Sequence, residues 1–209
     1  QDLRIAVPVP ARDGSWVVEG WAASRYEPGT VACRDLEVTL AAGRLLHARL
    51  ATAVPQRPSQ LDTRDDRWAE AERVAFGEAP MPRLTPSLAR LAARITAELD
   101  GDATGTGHPQ LVHADLAGNV LLDAAGAPVV IDVAPAWRPA TWAAAVCVLD
   151  SIVWAGADPA VLGRWTREPA RTELLRAIVF RLLSDDRPDV EAYAGVLSAL
   201  DPVDISPGP

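Results

Sequence analysis

The chain has no lysine; all twenty of its basic residues are arginine. It therefore cannot offer a compact ammonium to a phosphate, and arginine's rigid fork is a poor replacement for a point charge. With abundant alanine and proline, this usage points to the coding bias of a GC-rich bacterial genome. Cysteine is scarce as well. Cys33 and Cys147 sit far apart in apolar or mixed surroundings, which predicts two buried free thiols in a reducing compartment. Three histidines are too few for a zinc site or a metal hydrolase. No G-x-S-x-G turn is present, so a serine hydrolase would lack its exposed nucleophile. No apolar run reaches the roughly 18 residues of a membrane span and no signal peptide is visible, so a soluble, cytoplasmic protein with no membrane partner is expected. The net charge of −8 argues against nucleic acid, because phosphate backbones need a basic face. It leaves room for a cationic small molecule, or simply serves solubility.

What is present reads as globular: 49% apolar and 23% charged, with no low-complexity block. A length of 209 residues suits one large domain or two small lobes. The chain opens on QDLRIAVPVP without an initiating Met, so the expectation is an upstream segment removed or lost, or an artificial boundary. Residues 1–29 predict β structure, from the alternation in RIAVPVP, the turn ARDG, and the aromatic and β-branched runs of SWVVEGWAASRYEPG. In DLEVTLAAGRLLHARL, the positions Leu36, Leu40, Gly43, His47 and Leu50 mark one helical face, with His47 a packed member of it rather than a ligand. Residues 51–84 predict a long excursion with one short helix around Trp68–Val74. TPSLARLAARITAELDG predicts a helix capped by Thr85, with Pro86 at its first position, an apolar face of Leu88, Leu91, Ile95 and Leu99, and a stop at Gly101. NVLLD and PVVID predict a hairpin about Ala124-Ala125-Gly126. From Thr141 onward the chain predicts helices, RTELLRAIVFRLLSD being the most periodic. Strands first and helices after indicate an α+β fold.

The segment VHADLAGNVLLDAAGAPVVID, residues 112–132, carries the chemistry. It places His113, Asp115 and Asn119 within seven positions and ends a hairpin on Asp132. Phosphoryl transfer needs a carboxylate to orient or deprotonate the acceptor hydroxyl, and oxygen ligands for Mg²⁺ on the nucleotide phosphates. Asp115 suits the first task, and Asn119 and Asp132 the second. His113 would set the loop by packing and hydrogen bonding, without titrating in the reaction.

This segment resembles the catalytic loop of the aminoglycoside phosphotransferase and choline kinase type of protein-kinase-like fold, in which H-G-D-L-x-x-x-N precedes a hairpin ending in I-D. SRYEPG resembles that family's hinge between lobes, where the adenine passes. VAPAWRPATWAAAVCVLDSIVWAGA falls where the family has its post-aspartate loop and a long buried helix. As a whole the chain also resembles an uncharacterised phosphotransferase-like group of GC-rich bacteria. The resemblance implies a two-lobed fold, with a truncated β lobe and hinge in residues 1–29 and a mostly helical lobe in 30–209. It implies transfer of the ATP γ-phosphate to a hydroxyl of a small molecule, with ATP and Mg²⁺ as cofactors. Asp115 and His113 would be catalytic, Asn119 and Asp132 metal ligands, and Arg25, Tyr26 and Glu27 the adenine contacts. Three departures stand out. Ala114 replaces the family's glycine, and the Asp115–Asn119 spacing is four where five is usual, which requires a tight turn at Gly118. The phosphate-binding lysine is missing, so an active enzyme needs an upstream segment or an arginine in its place. The alternative is a nucleotide- or ligand-binding pseudoenzyme. A third class, a structural partner-binding protein, would have no nucleotide affinity.

Several residues carry two readings. Trp137 and Arg138 either line an acceptor pocket or anchor the loop against the next helix. Arg25, Tyr26 and Glu27 either meet adenine or are plain exposed strand ends. Asp150, in the apolar run AAAVCVLDSIVW, would be costly unpaired; it either pairs with an arginine or lines the cleft, and the pair is expected. Asp185 and Asp186 are expected to be solvated at a helix end.

Overall fold

The structure, a computed structural model, describes residues 3–99 and 107–201. The expected helix stop at Gly101 and most of the loop before Gln110 lie outside the described residues. The first two helices begin where the sequence supplies a carboxylate cap. Helix α1 (Leu36–Ala53) starts at Asp35, whose carboxylate accepts the Val38 N–H at 3.1 Å, and it buries Leu40, Gly43, Leu46 and His47. Helix α2 (Arg67–Ala75) is capped the same way by Asp66 on the Ala69 N–H at 2.9 Å. Helix α3 (Pro86–Leu99) buries Leu91 and Ile95 as its spacing predicts. Thr85 precedes it, and its hydroxyl stands 3.4 Å from Ser87 Oγ.

The core is built on α4 (Ala140–Val153) and α5 (Ala170–Ser184), with α6 (Val190–Ala199) alongside. Helix α4 is apolar nearly all round, as a central helix must be. Its Trp142 is fully buried, edge-on between Phe76 at 5.4 Å and Phe180 at 5.2 Å. Cys33 and Cys147 are buried free thiols, as expected.

The strands are short. β1 (Arg4–Ile5), β2 (Val31–Ala32), β4 (Val120–Leu122) and β5 (Pro128–Val130) form one sheet in the order β1-β5-β4-β2. Only β1 runs parallel to its neighbour. The β4–β5 hairpin turns at residues 123–127, where the Asp123 carboxylate accepts the Ala125 and Ala127 N–H groups at 2.9 Å each. β3 (Gln110–His113) pairs antiparallel with β6 (Pro135–Arg138), Val112 facing Ala136 and His113 facing Pro135. PAWR is thus a strand where a loop was expected.

The expectation of β structure over 1–29 needs correction. The described part of that stretch holds β1 and the isolated bridges Pro8–Ser24 and Val18–Trp21. Trp16, Val17, Val18 and Trp21 are exposed, so the pattern there finds no second layer to pack on, and a strand forms only where a partner edge meets it.

Candidate active site

His113 is the hub of the site. Its Nδ1 accepts two backbone N–H groups, from Asp115 at 3.1 Å and from Ala134 at 3.4 Å. The proton therefore sits on Nε2, which faces the Ile131 carbonyl at 3.3 Å. One neutral imidazole so ties the loop carrying Asp115 to both sides of the turn carrying Asp132. Burial lowers the His113 pKa, against the pull of the Ile131 carbonyl and the nearby aspartates. From behind, His47 Nε2 accepts the His113 N–H at 3.1 Å, and Gln110 donates to the His47 carbonyl at 2.9 Å. His47 is the packed residue its stripe predicts. Helix α1 also comes close to the loop at Gly43, where a Cβ would lie 2.5 Å from Leu116 Cδ2.

The shortened loop closes at Gly118, whose φ is +81°. That turn lets the Asn119 N–H reach the Leu116 carbonyl at 3.1 Å. The Asn119 amide nitrogen then donates back to the Asp115 carbonyl at 2.7 Å and to Asp115 Oδ2 at 3.3 Å. The other oxygen, Oδ1, receives Arg181 Nη2 at 2.5 Å. Arg181 is in turn held by Asp150, through Nε to Oδ1 at 2.8 Å and Nη2 to Oδ2. Asp150 thereby has the arginine expected for it. Burial pushes its carboxyl up to about 7, against the pull of Arg181.

Asp132 differs from these tied groups. It is exposed, makes no hydrogen bond or ion pair among the described residues, and has a φ of +46°. A non-glycine residue in that region is strained. Asp132 borders two hollows. The first, of about 220 Å³, also takes in Asp115, Arg64, Trp68, Phe180 and Arg181. The second, of about 500 Å³, is lined by Ser24, Arg25, Tyr26 and Glu27 together with Leu121 and Ile131. The hinge residues named from sequence thus face Asp132. Arg25 presents a guanidinium without a partner among the described residues, whereas Glu27 receives Arg4 Nη1 at 3.4 Å.

Trp137 and Arg138 line neither of these hollows but a third, smaller one with Arg57 and Asp62. The Arg138 guanidinium is fully engaged: Nε to Glu72 at 2.7 Å, Nη1 and Nη2 to Glu78 at 2.5 and 2.7 Å, and its plane 4.1 Å over Phe76. On the outer side of Asp115 lie Trp68, Trp154, Asp185 and Asp186, which sequence reasoning did not place there. Asp186 is solvated as expected, its side chain 75% exposed, and it pairs there with Arg67.

Among the described residues no three His, Cys, Asp or Glu side chains converge as a metal cage. Mg²⁺ on a nucleotide needs only one or two protein oxygens besides the phosphates. The unpaired carboxylate of Asp132 fits that requirement. So does Asn119, whose amide nitrogen is taken by Asp115 and whose oxygen is left over.

No protein-family model matches the chain, and no curated protein is similar to it at a significant level. Among solved structures it is similar to the crystal structure of choline kinase LicA from Streptococcus pneumoniae, at 13% identity and a TM-score of 0.50, over 85% of this chain and 69% of that one. The likeness shows the fold: an α+β arrangement of the kinase-like kind.

Proposed function

We propose that the protein is a phosphotransferase that moves the γ-phosphate of ATP to a hydroxyl of a small molecule. The observation that carries this reading is the place of Asp132, at the meeting of the hinge hollow and the Asp115 hollow. A nucleotide lying along Ser24–Glu27 over Leu121 and Ile131 would bring its phosphates to Asp132, with Asp115 waiting on the far side. In this assignment residues 1–29 belong to the small β lobe and hinge, and residues 30–209 to the helical lobe. Asp132 and Asn119 would hold Mg²⁺, which supplies charge neutralisation on the phosphates when bound. Asp115 accepts the proton of the acceptor hydroxyl. His113 keeps the loop and the Asp132 turn in register without titrating. Arg25 is the arginine that lines the nucleotide side in a chain without lysine.

The surroundings of Asp115 suit a cationic acceptor. Trp68 and Trp154 present their rings beside the carboxylates of Asp185 and Asp186, and guanidinium groups already lie over both rings, Arg67 at 4.3 Å and Arg181 at 4.9 Å. Such a soluble small-molecule enzyme would work in the cytoplasm; no helix among the described residues is long and apolar enough to cross a membrane.

A second reading, a nucleotide-binding pseudoenzyme, is favoured by the missing lysine and by donors on both oxygens of Asp115. Incubation with Mg-ATP and a panel of amino-sugars, amino-alcohols and neutral polyols, read as ADP formed, separates the two. The phosphotransferase gives ADP with at least one acceptor, and Asp115→Asn abolishes it with the fold intact. Nucleotide binding without turnover establishes the pseudoenzyme. Absence of both turnover and nucleotide binding overturns both readings.

A further inference from the structure

We propose that Arg181 is a positioning residue that fixes the carboxylate of Asp115 and is itself aimed by Asp150, an inference that rests on the phosphotransferase reading. The three groups come from three elements: Asp115 from the loop after β3, Asp150 from α4 and Arg181 from α5. Their burial is graded. The side chains of Asp150 and Arg181 are 1% and 5% exposed, while that of Asp115 is 38% exposed. Asp115 opens to the hollow, Arg181 reaches its wall, and Asp150 behind them is out of water.

Joining two helices does not by itself account for this cluster. Apolar side chains of the same volume hold helices together as well as a buried ion pair does, or better. α4 and α5 already share an apolar interface, with Trp142 edge-on to Phe180. What an ion pair adds is direction. The planar guanidinium is fixed on Asp150 through Nε and Nη2, and this sets where the same Nη2 meets Asp115 Oδ1 at 2.5 Å. Asn119 holds the other oxygen from the loop side at 3.3 Å. With one donor on each oxygen, the carboxylate plane is fixed and each oxygen keeps a lone pair for the acceptor hydroxyl. The catalytic loop HADLAGN contains no cation of its own, and the chain has no lysine, so Arg181 is the cation that meets Asp115.

The test uses the full chain in three forms: wild type, the double variant Asp150→Asn/Arg181→Met, and Arg181→Lys. The double variant removes both buried charges, so no uncompensated charge is left in the core. For a misplaced base, kcat falls about 100-fold while the KM for ATP is unchanged. Arg181→Lys, which keeps the charge but not the fork, leaves kcat about tenfold below wild type. Amide exchange across residues 113–119 becomes faster in the double variant, with α4 and α5 still protected. A wild-type kcat in either folded variant overturns the proposal, as does unchanged exchange in the loop. If the double variant fails to fold, Arg181→Lys decides alone on kcat. If the wild type turns over no acceptor, the phosphotransferase reading falls, and loop exchange still decides whether Arg181 holds Asp115.

Discussion

His47 and His113 are joined by a hydrogen bond in which the His113 backbone N–H donates to the His47 ring at 3.1 Å. A ring nitrogen that accepts must be unprotonated, so the bond exists only while His47 is neutral. Burial, with His113 close by, holds its pKa down to about 4, from an ordinary 6.5. In the unfolded chain His47 takes up a proton below about 6.5, while in the folded one it does not. Stability is therefore fully present above that pH and is lost as pH falls from 6.5 toward 4, by roughly 3 kcal/mol at most. Urea midpoints measured from pH 7.5 to 5 will fall, and His47→Gln will flatten the fall, leaving the share due to His113. A wild-type midpoint that does not move over this range contradicts the assignment.

Glu173 gives the opposite slope. It is fully buried on α5. One oxygen accepts from Arg176 at 3.1 Å and the other, Oε2, has no hydrogen-bond partner among the described residues. Burial pushes its pKa up to about 7, against the pull of Arg176. The folded state binds this proton more tightly than the unfolded one, so the stabilisation belongs to low pH and is lost between about 4.5 and 7. Glu173→Gln should raise stability at pH 8 by about 1–3 kcal/mol and give no gain at pH 4.5. Equal unfolding free energies of variant and wild type at pH 8 would count against it.

The sequence made the site's local half readable and hid its long-range half. His113, Asp115, Asn119 and Asp132 could be expected near one another because they share one loop and one hairpin, so their spacing is their geometry. The partner helices α1, α3 and α5 also followed from apolar periodicity. Arg181 and Asp150 were each visible as one charge inside an apolar run, AIVFRLL and AVCVLDSIVW, but nothing in linear order says that they meet each other, or that Asp115 joins them. The tie of Arg138 to Glu72 and Glu78 crosses more than one element in the same way, and it uses the excursion 51–84, which reads as polar and loose. The strands expected in 1–29 failed for a different reason. Alternation reports that a residue can face a core, and Trp16, Val17, Val18 and Trp21 face none.

Arg138 bears on stability more than on any acceptor. Its bonds to Glu72 and Glu78 and its place over Phe76 join α2 to β6. Arg138→Met leaves the Glu72 carboxylate buried and unpaired, at a cost of about 3–5 kcal/mol. Adding Glu72→Leu removes that charge and should restore most of the loss. Denaturant titrations of the two variants measure this directly. A single variant as stable as wild type would return Arg138 to the acceptor-contact reading.

Leu121 tests where the nucleotide lies. It stands on β4 between Ala32 and Val129 in register, half-buried, and with Ile131 it lines the hollow below Ser24–Glu27. If the adenine passes over this face, an indole at position 121 occupies its space without touching Asp115 or His113. Leu121→Trp should then raise the KM for ATP about tenfold, which corresponds to about 1.4 kcal/mol, with kcat and thermal stability close to wild type. An acceptor bound against Asp115 lies beyond Asp132, so its KM should not change. A variant with the wild-type KM for ATP would remove the nucleotide from the hinge hollow and leave the Asp115 hollow untouched. A rise in the acceptor KM alone would mean that the two substrates had been assigned to the wrong sides of Asp132.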